Sequence, residues 1–145
     1  MSSLFTNVPL DETIKILADR AFRHNWFNSK YDLNISKEDL IDLLGVATKG
    51  QLLQLNSSLY EQIDGIAMGS PIGPLLANIF MSSIEEKLDV EGKLPPYYGR
   101  YVHDTLTVMA DLSTARDFLY TLNHAHPTIK FTMEVEKDGM LPFLS

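Results

Sequence analysis

Apolar residues in the first third of the chain recur with a helical period. Ile14, Leu17, Ala18, Ala21 and Phe22 fall on one face of a helix spanning Asp11 to His24. Ser36 stands three residues ahead of Asp39 at the start of a second apolar pattern, the spacing of a capping box, and Ile35 and Leu40 are spaced as a hydrophobic staple. That second helix is expected to run to about Thr48, with Gly50 at its exit. Trp26 to Asn34 reads as a connector, and Ser2 to Val8 as the end of a strand closed by Pro9.

The period then shortens. Leu52 to Leu55 and Leu59 to Ile63 are short strands around Asn56, Ser57 and Ser58, a hairpin. Gly65 to Gly69 is a loop, and Pro71 opens an apolar helix through Ile72, Leu75, Leu76, Ile79, Phe80 and Ile84. The helix turns polar at Glu85, Glu86 and Lys87, where its end is expected to reach solvent. After a loop from Asp89 to Pro96, Tyr98 to Val108 is β-rich with a turn near His103 and Asp104, and Ser113 to Asn123 is a helix. Ile129, Phe131, Met133 and Val135 alternate with polar residues, the pattern of a half-buried strand. Lys137-Asp138-Gly139 is a turn leading to a last strand from Met140. Strands and helices alternate without regular βαβ spacing, so the class is α+β. The expected core is Ile14, Leu17, Leu76, Ile79, Phe80, Val102, Leu106, Phe118, Leu122 and Phe131.

Composition narrows the field. The 145 residues suit a single domain, and a 45% hydrophobic content supplies a core. No apolar run approaches the ~20 residues that cross a bilayer. Met1 to Pro9 lacks the basic start and apolar stretch of a secretory signal. Cysteine is absent, which removes disulfides and thiolate metal sites and fits an intracellular setting. The net charge of −7 works against phosphate binding; acidic residues are spread along the chain and no block of basic residues stands out.

Three segments carry the candidate chemistry. They are Ser2-Ser3-Leu4-Phe5-Thr6-Asn7-Val8-Pro9-Leu10, the run from Asp64 through Met68-Gly69-Ser70-Pro71 to Phe80, and Arg100-Tyr101-Val102-His103-Asp104-Thr105. In this order they resemble the reverse-transcriptase family, closest to its Penelope-like retroelement branch. Leu141-Pro142-Phe143-Leu144 resembles the hairpin beyond the family's palm. The resemblance implies a palm-like antiparallel sheet with helices packed on one face, part of the fingers within Tyr31 to Ile63, and no thumb, all in one partial domain over residues 1–145. It also implies RNA-directed DNA polymerisation: nucleotidyl transfer from a dNTP to a DNA primer on an RNA template, by two Mg²⁺ ions held on carboxylates.

The chain departs from the family pattern twice. The family's first carboxylate would fall one residue before Met1, so the chain is expected to be truncated. The family turn Tyr-x-Asp-Asp reads Tyr101-Val102-His103-Asp104. His103 replaces the main bridging ligand, and imidazole suits softer metals than Mg²⁺. Asp104 is then the surviving catalytic and metal-binding carboxylate, productive Mg²⁺ binding is not expected, and the chain is expected to be catalytically dead. Nucleic-acid binding by so acidic a chain is expected to be weak or absent.

By the same resemblance Phe5 matches the aromatic under the incoming sugar, and is equally a core aromatic at a strand end. Gly69 matches the glycine where backbone nears nucleotide and template, and is equally a hinge; Met68 flanks it. Tyr101 stacks near the primer end or packs across the strands. Lys130 reads as a solvated lysine before a pyrophosphate contact. Two rivals stand beside this reading. One is a zinc module from His103, His124 and His126, whose spacing matches no structural-zinc pattern. The other is a non-catalytic nucleic-acid- or protein-binding scaffold derived from the same fold.

Overall fold

The computed structural model describes residues 7–50, 52–67 and 70–141. The chain forms two compact units, Met1–Met81 and Ser82–Ser145. Helices and small antiparallel sheets are mixed, as the alternating pattern indicates.

In the first unit, α1 (Leu10–Phe22) buries Leu10, Thr13, Ile14, Ala18 and Ala21, one face at helical spacing. Leu17 is only partly covered. The Thr13 hydroxyl is fully buried but satisfied, donating to the Pro9 carbonyl at 2.7 Å. A 3₁₀ turn (Arg23–Asn25) follows, with His24 and Asn25 at positive φ, and then α2 (Trp26–Tyr31). The expected connector therefore contains a helix. Its six residues are too few to show an amphipathic period.

Helix α3 (Lys37–Thr48) begins at the capping box. The Asp39 amide donates to Ser36 Oγ at 3.0 Å, and the Ser36 amide donates to Asp39 Oδ2 at 3.1 Å. Leu40 joins Ala18 and Ala21 in a buried cluster, with Ile35 and Phe27 packed at its rim. β1 (Leu52–Leu55) pairs antiparallel with β2 (Ser58–Glu61), closed by Asn56 and Ser57, both at positive φ. Two left-handed central residues define the tight turn whose twist suits a hairpin. Asp64 Oδ1 accepts the Leu10 amide at 3.3 Å and the Gly65 amide at 2.7 Å, tying the loop after β2 to the start of α1.

Helix α4 (Gly73–Val90) contains the boundary between the units. It starts later than Pro71 and runs past the expected polar end. At its start Gly73 lies against Ile66: a Cβ there would come within 3.1 Å of Ile66 Cγ2. Leu76, Ile79, Phe80 and Met81, which belong to the first unit, are buried, as are Ile84 and Leu88, which belong to the second.

In the second unit, β3 (Tyr97–Tyr101) pairs with β4 (Asp104–Val108). Helix α5 (Leu112–Asn123) is capped by Asp111, whose carboxylate accepts the Thr114 amide at 2.7 Å. Leu122 is buried, and Phe118 and Phe131 are partly so. Val102 and Leu106 do not join the core; each is 42% exposed.

Three expectations about strands are corrected. Among the described residues each sheet is a separate two-stranded hairpin, so no single sheet collects them. Ile129 to Val135 is irregular. Its facing survives as far as Met133, with Ile129 buried and Phe131 and Met133 half-buried between exposed neighbours, while Val135 is exposed; among the described residues no strand lies beside it to form a ladder. The Asn123 side chain takes that place: its amide donates to the Phe131 carbonyl at 3.2 Å, and its Oδ1 accepts the Phe131 N–H at 2.6 Å. The turn after it forms as expected, with Asp138 and Gly139 at positive φ and Lys137 and Met140 exchanging backbone bonds at 2.9 Å. Asn7 is helical and Val8 a bend, so the strand expected to end there does not reach these residues.

Candidate functional site

The β3–β4 hairpin positions the residues singled out by sequence. Side chains alternate along a strand. Tyr98 and Arg100 share one face, paired across to Thr107 and Thr105; Tyr97, Gly99 and Tyr101 share the other, paired to Val108, Leu106 and Asp104. The first face is anchored to α4. Arg100 Nε donates to Glu85 Oε1 at 2.5 Å, and Nη2 donates to Glu85 Oε2 at 3.2 Å. The Tyr98 hydroxyl donates to Glu85 Oε1 at 2.8 Å. The Tyr98 ring meets Phe118 edge-on at 6.1 Å.

This network was missed in the sequence, and Glu85, read as solvent-facing, is a correction. Its side chain is 19% exposed and that of Arg100 only 9%. The signal available was the i, i+2 spacing of Tyr98 and Arg100. The partner's identity depends on where α4 lies against the hairpin. Burial, and then the bond to Glu85, push the Tyr98 phenol far above its ordinary range; the Arg100 charge opposes this weakly.

The same guanidinium shapes the turn. Arg100 Nη1 donates to the Val102 carbonyl at 2.9 Å. Val102 has φ of 54° while His103 does not take a positive φ. Positive φ at the first central residue alone is the II′ arrangement, which normally places glycine there. A β-branched residue in this region is strained. Beyond Val102, His103 Nε2 lies 3.8 Å from Asp104 Oδ1, too far for a hydrogen bond. Asp104 is partly exposed, opposite an exposed Tyr101. Tyr101 therefore does not pack into a core.

The fit to a pair of Mg²⁺ ions is poor. Such a pair needs several carboxylate oxygens converging on one point. Among the described residues no group of three acidic or histidine side chains is gathered so as to hold a metal ion. Asp104 has an imidazole for its neighbour, which brings no negative charge in either protonation state. Glu85, on the nearby helix, is committed to Arg100 and Tyr98.

The remaining candidates divide. Phe5, Met68 and Gly69 lie outside the described residues. Lys130 is exposed, as the solvated reading expects, and its Nζ donates to the Asn123 carbonyl at 2.9 Å, capping α5. His124 Nδ1 contacts the Tyr120 carbonyl at 2.7 Å, and His126 Nδ1 contacts Thr128 Oγ1 at 2.9 Å. Those two rings serve local structure. A 110 Å³ cleft between β4 and α5 is lined by Thr105, Thr107, Phe118, Leu122, Phe131 and Met133. Glu134 is its one ionisable residue, so it holds no pair of groups for acid–base chemistry.

No family model and no solved structure matches the chain. Among curated proteins it is similar to telomerase reverse transcriptases. The Mus musculus protein is 29% identical over 105 residues, 72% of this chain and 9% of that protein. The Rattus norvegicus protein is 30% identical over 86 residues, 59% of this chain and 8% of that protein. The Arabidopsis thaliana protein is 28% identical over 144 residues, covering 84% of this chain and 12% of that protein. The chain thus spans about a tenth of the length of these relatives. These distant similarities support a reverse-transcriptase-related domain.

Proposed function

We propose that the chain is a partial palm of RNA-directed DNA polymerase type, with part of the fingers, in which the metal-binding turn no longer supports nucleotidyl transfer. One observation carries the reading: the β3–β4 turn is Tyr101-Val102-His103-Asp104, with a single carboxylate where two Mg²⁺ ions need several. Similarity to telomerase reverse transcriptases supports the lineage; the motifs around Gly69 and Asp104 favour the Penelope-like branch within it. Loss of charge stabilisation at such a site costs several kcal/mol in the transition state, on the order of 10²–10³ in rate for one element alone. Primer extension on an RNA template with Mg²⁺ or Mn²⁺ tests this. No template-dependent product is expected, and extension by the purified chain would overturn the reading.

A second reading, a binding scaffold without catalysis, is favoured by the outer face of the same hairpin. Tyr97, Tyr101 and Val108 are all more than 60% exposed there, an apolar surface that a polymerase-dead domain could retain for a partner. Binding of a labelled RNA–DNA hybrid at two salt concentrations tests the nucleic-acid form of it. Retention of the hybrid at both would favour the scaffold.

A further inference from the structure

The region from Arg20 to Tyr31 contradicts the chain's acidic character. It holds Arg20, Arg23 and Lys30 and no Asp or Glu, in a protein with 19 acidic residues and 12 basic ones. The flanking acids are Asp19, which pairs with Lys37, and Asp32. Among the described residues neither Arg23 nor Lys30 is paired with a carboxylate, and both are exposed. Aromatic rings are interleaved with these charges. Trp26 is 46% exposed and Tyr31 54% exposed. The indole is held in place: Nε1 donates to the Arg20 carbonyl at 2.6 Å. Its ring meets Phe27 edge-on at 5.8 Å, and Phe27 meets Tyr31 at 5.2 Å. Lys30 Nζ stands 5.6 Å from the Tyr31 ring centre.

We infer that this surface, centred on Arg23, Trp26, Lys30 and Tyr31, binds a single-stranded polynucleotide. Cations neutralise successive phosphates while exposed rings offer faces on which bases stack, the combination that holds single strands without sequence preference. Rings fixed before binding lose little freedom on contact. The surface lies entirely in the first unit and does not rest on the reading of Asp104, so binding here and extension at the hairpin succeed or fail separately.

Trp26 is the sole tryptophan, so its emission reports the site directly. The full chain is titrated with oligo(dT) and with oligo(rU), following tryptophan quenching and the anisotropy of labelled strands. Quenching is expected, and with the two cationic contacts of Arg23 and Lys30 affinity should fall ~7-fold as salt rises from ~50 to ~200 mM. Arg23→Glu with Lys30→Glu should weaken binding at least ~10-fold. Lys87→Glu with Arg116→Glu, the same change of charge in the second unit, should leave it unaltered. Far-UV circular dichroism checks that each variant folds, and Arg23→Gln with Lys30→Gln serves if the reversal does not. Binding of oligo(rU) alone would still support the assignment and add contact with the 2′-hydroxyl. Absence of quenching and of anisotropy change, a double variant that binds like the parent, or equal affinity for polyglutamate would each overturn it.

Discussion

Glu85 receives the Arg100 guanidinium through both carboxylate oxygens, at 2.5 and 3.2 Å, with only about a tenth of the Arg100 side chain exposed. A near-buried fork of this kind fixes direction as well as distance. It ties β3 to α4 and, through the Val102 carbonyl, reaches the turn that carries His103 and Asp104. The placement of the candidate turn is therefore decided by a carboxylate 19 residues earlier in the chain than Asp104.

Removing one partner should cost far more than removing both. Glu85→Ala leaves a guanidinium buried without its counter-charge, and a loss of about 3 kcal/mol is expected. Glu85→Leu combined with Arg100→Met should recover most of it, because similar volumes refill the site without charge. Urea unfolding midpoints of the three proteins check this. An additive double variant would show the two residues to be uncoupled.

Tyr98 makes the fold sensitive to alkali. Its phenol is pushed upward in the folded state, so the unfolded chain loses that proton first as pH rises. The contribution is complete below the ordinary tyrosine range, near 10, and declines as pH climbs above it. Thermal melts between neutral pH and high pH should show a smaller alkaline loss in Tyr98→Phe than in the parent. Ultraviolet titration should find one phenol resisting ionisation in the parent only.

Asp111 gives the opposite dependence at low pH. The Thr114 amide bonded to it, and then the Thr114 hydroxyl, hold its carboxyl below the usual range. Its support for α5 is present above the ordinary carboxylate range and disappears as pH falls through the lowered value. Asp111→Ala should lower helicity at neutral pH by circular dichroism, with the difference from the parent vanishing in acid.

Val102 occupies left-handed backbone that costs a β-branched residue about 1–2 kcal/mol. Val102→Asn should raise stability by about 1 kcal/mol, since asparagine tolerates that region and little apolar burial is lost. A lower melting temperature would show that Val102 makes contacts worth more than the strain.

His103→Asp sets a second carboxylate beside Asp104. Isothermal titration with Mn²⁺ should show about tenfold tighter binding than the parent, since hard cations favour clustered oxygen ligands. Unchanged affinity would mean that the turn does not aim both side chains at one ion.

Sequence alone settled what depends on neighbours along the chain. The capping box at Ser36 and Asp39, the reach of α3 to Thr48, the buried stripe of α1, the hairpin turns at Asn56-Ser57 and Asp138-Gly139, and the Tyr101 to Asp104 turn are all written within a few consecutive residues. Cap bonds, helical period and positive-φ turns are local, so they are legible before any fold is known.

Tertiary structure decided the rest, because its partners lie far apart in sequence. Polar Glu85 at a helix end was an invitation to solvent until β3 brought Arg100 and Tyr98 over it. Ile129 to Met133 kept the alternation of a strand, yet a ladder needs a neighbour, and a side chain of Asn123 supplied the bonds instead. Trp26 to Tyr31 had no period to betray a helix, and its rings and cations became one surface only when the chain bent at His24 and Asn25. Side-chain pairing between distant segments depends on packing geometry, and a linear pattern of polar and apolar residues does not encode that geometry directly.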